Sequence, residues 1–273
     1  MKNTQPILIL STGRTGTIFL ARLFADLYPD TASYHERGNS RLIQILTNMH
    51  FSHLLPKSMV KAAWKVFKGN EIETCEKPYH MDANNFLYGL PILAPELYPN
   101  LKVLHIIRDP RDYVTSQLNF SHQRRRSFIG NYLTPFWKPS PFWVGEIPLS
   151  KAFGFSRFEK YCWVWDFKNR VMSQVNDSAI PYLKVRFEDL FSLEPENTFK
   201  QITDFFGLQP AENIRSKFRE PANTSKQTFF PEWRDWTPRQ ASQLQALCSK
   251  QMTVNGYGNE PEWLEKLKTP HET

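Results

Sequence analysis

Seven residues near the amino terminus, Ser11-Thr12-Gly13-Arg14-Thr15-Gly16-Thr17, combine four hydroxyls, two glycines and one guanidinium. Between a strand and a helix, such residues hold anions, because backbone N–H groups at a helix N-terminus and neighbouring hydroxyls converge on phosphate-like oxygens. A nucleoside-triphosphate loop of the form G-x-x-x-x-G-K-[ST] also needs a lysine for the β/γ-phosphates and a hydroxyl for magnesium. Here Ser11 takes the place of the first glycine, Gly16 that of the second, and Thr17 stands where the lysine would be. Triphosphate hydrolysis is disfavoured, while the anion cradle remains.

A sulfuryl group, with one negative charge rather than two, suits such a loop better than a triphosphate, since a metal clamp is less necessary. A second group points the same way. "RDPRDYVTS" sets Arg108 and Ser116 eight residues apart, about two turns of helix. With some residues spent in the turn, a strand-end arginine and a helix serine reach one phosphate, the arginine bidentately.

The elements that must position these residues follow an α/β rhythm. Pro6–Thr12 reads as a buried strand, and Ile18, Leu20, Leu23, Phe24 and Leu27 then recur with helical period. Thr31–Glu36 is a short second strand and Glu71–Lys77 a weaker third. Leu101–Asp109 is the strongest later strand, followed by a helix from Pro110. Ile180–Leu190 reads as another buried strand, then a helix to Phe206 stopped by Gly207. A late helix starts at Thr237-Pro238. Carboxyl ends of adjacent parallel strands form the usual ligand crevice of such sheets. The expectation is one three-layer α/β domain over residues 1–273, with a central, mainly parallel sheet flanked by helices and a P-loop-like loop after the first strand. An aromatic- and proline-rich stretch at about 121–158 interrupts the rhythm and reads as a lid or insertion. Tyr161–Val171 reads as a core helix.

Together, Gly13-Arg14-Thr15-Gly16-Thr17 and Arg108-Asp109-Pro110-Arg111-Asp112 with Ser116 resemble the two motifs of the sulfotransferases that use 3′-phosphoadenosine 5′-phosphosulfate (PAPS). "YLKVRFEDL", "WRDWTPRQ" and "NGYG" extend the resemblance along most of the chain. It implies that Gly13, Arg14, Thr15, Gly16, Thr17 and Ile18 hold the 5′-phosphosulfate, and that Arg108 and Ser116 hold the 3′-phosphate. It further implies 3′,5′-ADP as product and no metal. Lys226, in the polar loop "NTSKQ", is a residue to close over the nucleotide.

For the base that takes the acceptor proton, the resemblance offers Glu36, by its distance from the first motif, or His80, by analogy with the branch acting on small molecules. His35 is a third candidate. Lys77, in "EKP", matches a lysine that assists the leaving group, and Arg14 belongs with the catalytic set. The competing readings are a P-loop kinase-like nucleotide enzyme and a non-catalytic nucleotide-binding protein of the same fold.

Composition bounds the rest. The net charge of +7 favours an anionic ligand, and aromatics at 14% argue against disorder. One triple arginine, "QRRRS", does not make a nucleic-acid surface. Three widely spaced cysteines suggest neither zinc nor a disulfide framework, and no run approaches the ~20 apolar residues of a membrane span. The expected protein is cytoplasmic and acts on a small-molecule, lipid or carbohydrate acceptor, with peripheral membrane contact left open.

Overall fold

Four consecutive aliphatics, Ile7–Leu10, build the first strand, and all four are buried. Alternate residues of a strand face opposite sides, so burial of the whole run means that both faces of the sheet are covered, as in parallel sheets. The computed structural model describes residues 4–123, 136–152, 154–211, 214–218 and 229–269. In chain order its main elements are β1 (Gln5–Ser11), α1 (Thr17–Leu27), β2 (Thr31–His35), α2 (Ser40–Phe51), α3 (Lys57–Trp64), β3 (Tyr79–Ala83), β4 (Lys102–Ile107), α4 (Pro110–Gln123), α5 (Arg157–Ser173), β5 (Tyr182–Arg186), α6 (Glu196–Phe206), α7 (Pro238–Val254) and α8 (Pro261–Lys268). The chain packs as two compact units: Met1–Ile107 with Val171–Thr224, and Arg108–Arg170 with Ser225–Thr273.

The first unit holds a five-stranded sheet in the order β2-β3-β1-β4-β5, with every neighbouring pair parallel. Ile7, Ile9, Met81, Ala83, Leu104, Ile106 and Val185 join Leu20, Leu23 and Phe24 of α1 and Phe199, Ile202 and Phe206 of α6 in one core. This is the α/β architecture that the strand–loop–helix rhythm predicts. The register sets Ile9 beside both Ala83 and Leu104, and Ser11 beside Ile106. The chain therefore leaves β1, β3 and β4 at one edge of the sheet.

The third strand differs from expectation. Residues Asn70–Glu73 form a helical turn, and the strand is Tyr79–Ala83. "EIETCEK" carries two exposed acids, Glu73 and Glu76, and no aliphatic run, whereas "YHMDA" buries Met81 and Ala83 on the core face. Its other face carries His80 and Asp82, both buried, and these polar residues mask the strand in the sequence.

In the second unit, α5 is buried nearly all round: Tyr161, Cys162, Trp163, Val164, Trp165 and Phe167 are each at most 3% exposed. That explains why neither a period of two nor one of 3.6 stands out in its sequence. Thr237 caps α7 with a reciprocal box: its hydroxyl accepts from Gln240 N–H, and the Gln240 side chain accepts from Thr237 N–H. Part of the predicted insertion packs on α5, where Trp163 Nε1 donates to Glu146 Oε2 at 2.8 Å and Arg170 pairs with the same carboxylate. The remainder, including "RRRS" at 124–127, lies outside the described residues.

Candidate functional site

The loop after β1 has left-handed backbone at Gly13 (φ 92), Arg14 (φ 60) and Gly16 (φ 71). Glycine adopts this region freely, whereas an arginine there is uncommon and held by its surroundings. Gly16 has a second constraint: a Cβ there would collide with the Phe191 ring. Alternation of such residues turns successive N–H groups toward one concavity. Gly13 N–H donates to Ser11 Oγ at 3.1 Å, fixing the first bend.

Helix α1 then begins with no side-chain cap and no acid in its first turn, so its positive end is not neutralised from within the helix. Thr12 Oγ1 and Thr15 Oγ1 are buried and have no hydrogen-bond partner among the described residues. Buried hydroxyls are ordinarily bonded, and these two flank the arginine of a cradle built for an oxyanion. The residues therefore fit the phosphosulfate that the motif implies.

At the end of β2, His35 Nε2 lies 3.2 Å from Thr17 Oγ1 and 3.7 Å from Glu36 Oε1. The first helical residue after the loop thus meets both His35 and, through it, Glu36. Burial holds the His35 imidazole below its ordinary pKa; Asp82 opposes this and Arg22 adds to it. Glu36 is itself left-handed (φ 50). Its N–H donates to Ala83 O at 3.3 Å, and Asn85 Nδ2 donates to its Oε1. A cavity of about 390 Å³, lined by Ile18, Ala21, Arg22, Ala25, Ser33 and His35, opens beside this group.

Beneath Glu36 lies a network that sequence reading misses. Lys68 is 1% exposed, and its ammonium donates to Arg37 O (2.6 Å), Asp82 Oδ2 (3.0 Å) and Glu71 Oε2 (3.0 Å). Ser40 Oγ also donates to Arg37 O at 2.5 Å, and Asn84 Nδ2 reaches Ser40 Oγ and the Asp82 carboxylate. The turn carrying Glu36 is thereby strapped to the end of β3. Its one sequence signal is spacing: Val60, Trp64 and Lys68, all buried, recur every four residues.

The structure does not bring His80 or Lys77 to this group. His80 pairs with Pro6 in β1 and with Ala32 in β2. Pro6 is five residues, about 16 Å of strand, before Ser11. Lys77 Nζ donates to Thr31 O at 3.4 Å, at the start of β2. Both sit at the amino-terminal edge of the sheet, and Thr17, His35 and Glu36 at the carboxyl edge.

His80 is 4% exposed, packs on the Tyr34 ring at 5.4 Å, and burial pushes its pKa down to about 4. The unfolded imidazole binds its proton near pH 6.5 and the folded one only near 4, so stability falls as pH drops between those values. The expected loss is about 3 kcal/mol in full and about 2 kcal/mol by pH 5. Urea titrations of wild type and His80→Gln at pH 7.5 and 5.0 check this: the variant should lose about 2 kcal/mol less. Equal losses would show that His80 titrates normally in the fold.

In the second unit, Arg108 precedes α4, and Trp165 Nε1 donates to its carbonyl at 2.8 Å. Asp109 caps the helix, accepting from Arg111 N–H at 2.8 Å. The Arg111 guanidinium, 2% exposed, pairs with Asp109 and Glu260 and lies 4.4 Å from the Trp233 ring and 5.1 Å from that of Trp263. These contacts make Arg111 a structural clamp on the residues beside Arg108. Ser116 is half-buried on α4. One turn later Asn119 Oδ1 accepts from Phe229 and Phe230 N–H, anchoring that stretch of chain to α4. Lys226 lies outside the described residues.

A family model described as "Sulfotransferase domain" matches residues 4–230. Among curated proteins none matches. Among solved structures, a sulfotransferase domain from the curacin biosynthetic pathway is 14% identical, with 97% of each chain covered and a TM-score of 0.49. A sulfotransferase from Alicyclobacillus acidocaldarius is 15% identical over 92% of this chain and 98% of its own, with a TM-score of 0.46. Mouse sulfotransferase SULT7A1, complexed with PAP, is 15% identical over 97% and 89%, with a TM-score of 0.48.

Proposed function

The chain belongs to the sulfotransferase family, and from that premise we propose that it moves a sulfuryl group from PAPS to a hydroxyl of its acceptor. The observation that carries the reading is the meeting of Thr17, His35 and Glu36 at the helix end of the Gly13–Thr17 loop. PAPS supplies, when bound, an activated sulfuryl group on a phosphate leaving group.

The loop N–H groups, the Thr12 and Thr15 hydroxyls and Arg14 hold that anionic end and offset the charge that develops on it. Glu36 is the base, with a carboxylate oxygen positioned by Asn85 to take the acceptor proton. His35 fixes Thr17 against the same carboxylate and, kept neutral by burial, adds no charge of its own at neutral pH. Arg108 and Ser116 hold the 3′-phosphate, and the cavity beside His35 and Arg22 receives the acceptor. His80 and Lys77 have no part in the transfer. The reading takes residues 1–273 as one catalytic domain, with the stretch at 121–158 as a lid or insertion.

No helix among the described residues is long and apolar enough to cross a membrane. With three free cysteines, we read the protein as cytoplasmic.

Calorimetric titration with 3′,5′-ADP, 5′-AMP and Mg-ATP tests the nucleotide. The bisphosphate should bind tightly without magnesium, and Arg108→Ala should weaken it roughly 10- to 100-fold while leaving 5′-AMP unaffected. Preference for Mg-ATP would instead favour the kinase-like alternative. Tight 3′,5′-ADP binding without transfer to any of a broad acceptor panel would favour a non-catalytic binder.

A further inference from the structure

Near the carboxyl end of α4, the second unit gathers three cations. Arg157 Nη2 donates to Ser121 Oγ at 2.6 Å. Lys138 Nζ lies 3.5 Å from Tyr161 Oη and 4.4 Å from the centre of that ring. Lys160 is close enough to feel both Lys138 and Arg157 electrostatically. Ser121 and Tyr161 are each 3% exposed, and Lys138, Arg157 and Lys160 are half-buried.

Among the described residues no carboxylate pairs with any of these three cations. The acid nearest in sequence, Glu159, accepts from Ser156 N–H and Oγ instead. Nor does the neighbouring sequence supply one: from Tyr113 to Gly145 there is no Asp or Glu, while Arg124, Arg125, Arg126 and Lys138 all fall in that span.

Gathering like charges away from water is costly unless something negative joins them. We propose that Lys138, Arg157, Lys160 and the Tyr161 hydroxyl form an oxyanion-binding site for a phosphate or sulfate monoester, with Ser121, whose hydroxyl donates to Leu118 O at 3.0 Å, holding the Arg157 guanidinium in place. The donors suit that ligand. An ammonium offers three N–H groups and a guanidinium five, and most remain after the two bonds above. Tetrahedral oxyanions take several such charge-assisted bonds at once.

The charge states agree. Burial lowers the Lys138 and Lys160 ammonium pKa values, with Arg157 adding to the effect on both. Burial would raise the Tyr161 hydroxyl, yet Lys138, the Ser121 bond and Arg157 outweigh it and bring it below its ordinary value. Burial and mutual repulsion thus act on the two ammonium groups together, and the nearby cations on the Tyr161 hydroxyl. The cluster stands on its own residues, independently of the assignment of the first loop.

The probe is phenyl phosphate, with phenyl sulfate in parallel, titrated calorimetrically into the full chain with and without saturating 3′,5′-ADP. One equivalent should bind, and Lys138→Met and Arg157→Met should each weaken it at least about tenfold. Tyr161→Phe, which keeps every charge and the ring, should weaken it less and guards against misfolding of the charge variants. Binding that persists under saturating 3′,5′-ADP assigns the oxyanion to a second molecule, such as an acidic acceptor. Binding that 3′,5′-ADP displaces, yet that the same variants still weaken, assigns it to a phosphate of the nucleotide. Absence of binding to wild type, or equal affinity in wild type and the Lys138 and Arg157 variants, would overturn the site. Failure of 3′,5′-ADP itself to bind would count against the sulfotransferase reading alone.

Discussion

Glu36→Gln should lower the turnover of sulfuryl transfer by about 10²- to 10⁴-fold, the usual contribution of a general base, and leave 3′,5′-ADP affinity unchanged. The substitution is clean because the carboxylate charge does not hold the turn. The Glu36 N–H bond to Ala83 O and the two donors on Arg37 O persist, and the amide oxygen of glutamine still accepts from Asn85 Nδ2. Only proton acceptance is lost. The measurement is single-turnover transfer from PAPS to the best acceptor of a panel of alcohols, phenols and sugars, alongside calorimetry with 3′,5′-ADP. Wild-type turnover in Glu36→Gln combined with a large loss in His35→Asn would move the base to His35. His80→Asn, remote along the strand, should leave turnover intact.

That contrast shows what the sequence carries and what it withholds. The turn of the Gly13–Thr17 loop is legible because it rests on local chemistry: glycines that allow positive φ, hydroxyls, and a helix whose period begins at once. The pairing of Glu36 with this loop is nearly legible, since β2 follows α1 directly and its end is two elements from the motif. The place of His80 and Lys77 is not legible in the same way, because it depends on strand register. A third strand at Glu71–Lys77 would put Lys77 and His80 at its carboxyl end, beside the loop. The observed strand, Tyr79–Ala83, puts both at the opposite edge and brings Asp82, Asn84 and Asn85 to the site. Lys68 is hidden for a related reason. Its partners lie on a turn 31 residues earlier and a strand 14 residues later, and only the order β2-β3-β1 makes them neighbours. A buried lysine in a helical stripe otherwise looks like a solvated one.

Lys68→Met should therefore destabilise the fold by about 3–5 kcal/mol, the cost of leaving a buried carboxylate without its partner. Asp82 is 2% exposed at its side chain and Glu71 15%, so water cannot replace the ammonium at Asp82. Removing both charges changes the outcome, because an uncharged pair of similar volume has no stranded ion. Lys68→Met with Asp82→Asn should recover a large part of the loss, and denaturant melts of the single and double variants give the coupling directly. Single-variant losses below about 1 kcal/mol, as for an exposed pair, would show that the network is not the support of the turn. The double variant then separates stability from function. It folds, yet Arg37 O keeps only the Ser40 hydroxyl as donor, and the strained left-handed residue before it loses its firmest anchor. Turnover should fall while 3′,5′-ADP affinity holds, because the Gly13–Thr17 loop makes none of the contacts that Lys68 does. Equal turnover in the double variant and wild type would mean that Ser40 and Asn85 alone keep the Glu36 carboxylate in place.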